Sequence, residues 1–94
     1  MTVRDPDRVG GAMEADMKAK ALIEYLAEQL VDRPEGVHVD EHDTGETTVL
    51  TLRVAPGDLG KVIGREGRTA HALRALLTAA ATAQGTRAIL EIAD

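Results

Sequence analysis

The chain has 94 residues, with 11 Lys and Arg against 16 Asp and Glu, and a formal charge of −5. That length fits a single domain with a modest core. Cysteine and serine are both missing, which excludes disulfides, thiolate metal sites and the commonest acyl-transfer nucleophiles, and Tyr25 stands alone with no Phe or Trp, so a sheet platform of such rings for stacking bases is missing.

Met1 to Asp16 is polar, contains Pro6, Gly10 and Gly11, and shows no apolar periodicity, so residues 1–16 read as a flexible tail and residues 17–94 as the domain. Leu22, Ile23, Leu26, Leu30 and Val31 then recur at helical spacing, with Lys18, Lys20, Glu24 and Glu28 on the other face. Pro34 and Gly36 end this helix. Val37 and Val39 alternate with His38 and Asp40 as a half-buried strand, Asp43 to Glu46 makes a turn, and Thr48 to Val54 is the strongest strand, with Leu50, Leu52 and Val54 on one face. Pro56 suits the start of a short helix whose inward stripe is Leu59, Val62 and Ile63. A longer helix from Arg68 to about Ala83 is expected to bury Leu73, Leu76, Leu77 and Ala80, with Gly85 as its cap. Ile89, Leu90 and Ile92 supply the last strand. No run of about 18 apolar residues and no secretory leader is visible, so a soluble cytoplasmic protein is expected, away from membranes.

The richest stretch is Gly60-Lys61-Val62-Ile63-Gly64-Arg65-Glu66-Gly67-Arg68-Thr69-Ala70. Gly64 and Gly67 permit positive φ and leave the neighbouring peptide N–H groups unshielded, and the long helix that follows presents its positive end to the same loop. Lys61, Arg65, Arg68 and Arg74, against Glu66 alone, give this short region a positive charge within an acidic chain. An acidic body with one basic site disfavours indiscriminate association with polyanions and directs an anion to the loop. On the longer helix Arg68, His71 and Arg74 are spaced to form a stripe leading away from the loop.

The run Ile63-Gly64-Arg65-Glu66-Gly67 resembles the Ile-Gly-x-x-Gly signature of KH RNA-binding domains, in which a loop between two helices clamps the backbone of about four nucleotides. The resemblance extends through Leu22 to Leu26, Leu30-Val31-Asp32 with Pro34 following, Arg53-Val54-Ala55-Pro56 and Gly60 to Gly64. From Lys20 to Asp94 the chain looks like the small bacterial KH proteins of the KhpA (YlqC) group. This resemblance implies an α+β fold of the type II KH kind, α-β-β-α-α-β, with a three-stranded mixed sheet covered on one face by three helices. It also implies a non-enzymatic protein that grips single-stranded RNA through Lys61, Val62, Ile63, Gly64, Arg65, Glu66, Gly67, Arg68, His71 and Arg74. Bases would lie in an aliphatic groove between the second helix and the Leu50 to Val54 strand. Glu66 departs from the basic or polar residues usual inside this loop.

The implied cellular role is post-transcriptional regulation or RNA chaperoning linked to cell elongation and division. The implied partners are a second copy of the chain and a larger KH-containing protein of the KhpB or Jag type. Two rival readings are a protein-interaction adaptor with weak RNA affinity and a ribosome-assembly factor. No nucleophile constellation, metal spacing or cofactor fingerprint is present, so neither enzyme activity nor a cofactor is expected. His38, Asp40 and His42 share one strand face, but without a second cluster they are read as a solvated face and not as metal ligands. The stripe Ala72, Ala75, Ala79 and Ala83 either packs closely on the first helix or forms a flat self-association surface, and core packing is the preferred reading.

Overall fold

The computed structural model describes residues 19–93, so the expected tail at residues 1–16 lies outside the described residues. Helix α1 runs Ala19–Leu30, strand β1 His38–Asp43, strand β2 Thr48–Arg53, helix α2 Leu59–Ile63, helix α3 Arg68–Ala83 and strand β3 Ala88–Ala93. Short 3-10 turns at Pro34–Gly36, Pro56–Asp58 and Arg65–Gly67 join them. This is the α-β-β-α-α-β order of a type II KH domain.

The sheet order is β1-β2-β3, with β1 antiparallel and β3 parallel to the central strand. Two-residue periodicity divides it into two faces. Val39 lies opposite Leu52, and Leu50 opposite Leu90; all four are buried, and they form the face against which α1 and α3 pack. The other face carries the row Asp40, Thr51 and Glu91, and Arg53 pairs there with Asp40 at 3.4 Å. Two of the three residues on the expected His-Asp-His face, His38 and His42, are exposed beside that ion pair.

Helix α2 packs on α1 and α3 and sends Val62 into the core, where Ile23, Ala27, Leu50 and Leu52 are also fully buried. The C-terminus of α3 closes with a Schellman pair: the Thr86 N–H donates to the Ala81 carbonyl and the Gly85 N–H to that of Thr82.

Two expectations for α3 are corrected. Its buried positions are Ala70, Leu73, Leu77 and Ala81, separated by three, four and four residues, so the inward arc is narrow. Leu76, one residue and about 100° from Leu77, is therefore 48% exposed, and Ala80 is only half-buried. The second correction concerns Ala72, Ala75, Ala79 and Ala83: all four are exposed, so the stripe does not pack against the first helix as core. Leu30, at the end of α1, is also 39% exposed.

Candidate nucleic-acid interface

The loop is held from below before it is shaped from within. Pro56 starts the turn that leads into α2, and the Asp58 N–H closes that turn on the Ala55 carbonyl at 2.8 Å. Asp58 is only 3% exposed, and its Oδ2 accepts the backbone N–H of Arg33 at 3.0 Å. This bond ties the connection after α1 to the start of α2. A second link across the same seam is the 3.5 Å ion pair between Lys61 Nζ and Asp32 Oδ2. Asp58 was not singled out in the sequence, where an acidic residue before a helix reads as an N-cap. Its side chain instead accepts from a residue 25 positions away.

Helix α2 ends where the Gly64 N–H donates to Gly60, and Gly64 takes φ 78°, ψ 173°, a region essentially confined to glycine. A Cβ there would also collide with the Thr69 side chain and come within 2.9 Å of the Thr69 backbone nitrogen. Glu66 (φ 57°, ψ 25°) and Gly67 (φ 74°, ψ 13°) follow as consecutive left-handed residues, and the Gly67 N–H donates to the Gly64 carbonyl at 3.2 Å. A Cβ on Gly67 would meet nothing within 4 Å, so that side of the loop is open to approach. Helix α3 starts at Arg68 with no side-chain cap, leaving its positive end beside the loop.

The structure brings most of the expected residues together but assigns them different tasks. Arg65 is exposed; its carbonyl accepts the Arg68 N–H, and its guanidinium has no ion-pair or hydrogen-bond partner among the described residues. Arg68 Nη2 lies 3.1 Å from Glu66 Oε1. His71 is exposed one turn further along α3, whereas Arg74 turns toward the sheet edge and donates from Nε to the Leu90 carbonyl at 3.3 Å. Val62 is fully buried beneath the loop, so of the expected site residues it belongs to the core and offers no surface to a ligand. Ile63 is 36% exposed at the rim.

The groove expected between α2 and β2 is corrected as well. Leu50 and Leu52 are fully buried, which leaves Val54 on the strand side, and Leu59 and Ile63 on α2, as the partly open apolar residues there. An apolar hollow also lies between α1 and α3, lined by Leu26, Leu30, Thr69, Ala72, Leu73 and Leu76. No helix among the described residues is long and apolar enough to cross a membrane.

Comparisons with known proteins agree with this geometry. Residues 20–92 match the family model described as KhpA/KhpB, KH domain. RNA-binding protein KhpA of Halalkalibacterium halodurans is 52% identical over 75 residues, covering 80% of this chain and 99% of the relative. The protein of the same name from Treponema pallidum is 53% identical over 73 residues, covering 78% and 91%. That from Clostridium perfringens is 47% identical over 73 residues, covering 78% and 97%. With residues 20–92 matched by the family model and similarity along nearly the whole length of these relatives, the chain belongs to the KhpA/KhpB family of KH domains.

Proposed function

We propose that residues 17–94 form a cytoplasmic, non-enzymatic RNA-binding domain that grips the backbone of single-stranded RNA at the Gly64 to Gly67 loop. The carrying observation is an Arg65 guanidinium without a partner among the described residues, close to a glycine whose outer side is open, at the start of α3, which has no side-chain cap. Arg65 offers a planar fork to a phosphate, and Gly67 lets the strand approach the peptide backbone. Lys61 and Arg68 flank the strand's path, His71 extends it along α3, and Ile63 meets a base at the rim. Arg74 is the outlying member, engaged until ligand draws it from Leu90. The names of the relatives support RNA as the ligand class.

In the cell this activity fits post-transcriptional regulation or RNA chaperoning tied to elongation and division. Small KH domains contact few nucleotides, so the working unit is a pair: a second copy, or a larger KH-containing protein of the KhpB type. An adaptor with little RNA affinity is the competing reading, favoured by the charge of −5 and by the Glu66 carboxylate on Arg68. The test is the double substitution Arg65→Asp, Glu66→Asp. RNA binding should be lost while circular dichroism and melting stay near those of the parent chain. Undiminished binding would remove the loop from the site, and a parent chain that binds no RNA while capturing a KH partner would establish the adaptor.

A further inference from the structure

Most cations around the loop are already matched to a protein oxygen. Lys61 faces Asp32, Arg74 faces the Leu90 carbonyl and Arg68 faces Glu66, whereas the Arg65 guanidinium has no partner among the described residues. The Glu66 pairing differs from the others because its anion lies inside the loop. Its left-handed backbone, followed by left-handed Gly67, brings Oε1 to 3.1 Å from Arg68 Nη2 across a two-residue span. Positive φ is uncommon for a residue with a Cβ and carries a cost, so this placement is imposed by the turn and not by local preference.

A carboxylate and a phosphate oxygen make the same charge-assisted contact with a guanidinium. From the loop geometry we infer that Glu66 is a built-in competitor for nucleic-acid phosphate: its carboxylate holds on Arg68 the place a phosphate oxygen takes when a strand binds. This inference rests on the reading of the loop as the phosphate-binding site. Binding then requires exchange. The strand displaces Glu66 from Arg68 and afterwards lies beside an unneutralised negative charge. With side chains 70% and 79% exposed, the pair is solvent-screened and weak, so it tunes affinity without closing the site.

The exchange also sets selectivity. A polyanion offering only phosphates bears the repulsion with nothing in return, whereas a single strand that also lays a base against Ile63 offsets it. Glu66 therefore determines which anions the basic loop accepts.

The experiment is a double-mutant cycle on the full chain with Glu66→Gln, Arg68→Gln and both together. Binding is read by fluorescence anisotropy with a labelled unstructured RNA oligonucleotide, and with inorganic polyphosphate as competitor, over a salt series. Glutamine keeps the shape and removes the charge. Glu66→Gln should bind RNA about three- to tenfold tighter. Its log K against log salt slope should steepen by about 0.7, the value of one unit of charge on a single strand, because one negative charge no longer opposes the bound phosphates. On the Arg68→Gln background the gain should shrink to less than about twofold. Polyphosphate should gain at least as much as RNA. Glu66→Asn, better suited to left-handed backbone, should repeat the glutamine result and separates charge from conformation.

Unchanged or weaker binding by Glu66→Gln overturns the inference. So does an equal gain on both backgrounds, which would make Glu66 a diffuse repulsive charge with no claim on Arg68. Failure of the underlying reading looks different: Arg65→Gln and Arg68→Gln would both leave RNA affinity untouched.

Discussion

Gly64 and Gly67 hold matching places in the motif, yet their surroundings ask different things of them. At Gly64 a side chain meets two obstacles, a backbone region that essentially only glycine occupies and the body of Thr69. At Gly67 the obstacle is left-handed φ alone, since the space outside is open. Gly64→Ala should therefore cost about 3 kcal/mol or more, joining strain to overpacking. Gly67→Ala should cost about 1 to 2 kcal/mol, and Gly67→Asn less because asparagine tolerates that conformation. Urea denaturation of the three variants measures this directly, and equal losses at the two glycines would refute the division. RNA binding should reverse the emphasis: Gly67→Ala should fold but set a methyl on the proposed path of the strand. Asp58 belongs at the same scale. It is the one buried charged residue among those described, and the Arg33 N–H depends on it.

Among the elements, α3 shows what amphipathic spacing conveys and where it stops. The bounds of α3, the turn at Gly45 and the paired strands β1 and β2 follow from alternation and from the positions of Pro and Gly, which act locally. Which leucines of a Leu-Leu pair face inward depends on the roll of the helix against the sheet, a property of the packed molecule. Leu76 and Leu77 differ by one residue in sequence and almost wholly in burial. Leu77→Ala should accordingly lose about 2 to 5 kcal/mol through the cavity it leaves, and Leu76→Ala less than about 1 kcal/mol. Similar losses in chemical denaturation would show that α3 is rolled differently. The candidate site divides along the same line. Its glycines and cations are legible because they fall together within one short stretch, Lys61 to Arg74. The Asp58 to Arg33 link, the Arg74 to Leu90 bond and the depth of Leu50 and Leu52 arise from tertiary placement that no short window contains.

For the molecule as a whole, the exposed face of α3 turns a small binding domain into a candidate half of a larger reader. Ala72, Leu76, Ala79 and Ala83 recur at intervals of four, three and four, the spacing of a helix seam, and all are exposed. Small side chains let a second helix approach closely, and Leu76 offers an apolar anchor beside the hollow formed with Leu26 and Leu30. Two linked weak sites on one RNA strand gain about 10² to 10⁴ in avidity without a new base contact, provided the geometry lets both engage. Association along this seam would thus reconcile a net charge of −5 and a self-competing loop with useful RNA binding. Ala79→Glu tests the proposal cleanly because Ala79 is exposed: the fold should persist while light scattering shows the mass falling to that of one chain. RNA affinity should fall with it, and the remaining binding should keep its dependence on Arg65. A parent chain that stays monomeric at its highest soluble concentration and retains no KH-containing partner would refute association, and Ala79→Glu that associates as the parent does would move the interface off this seam.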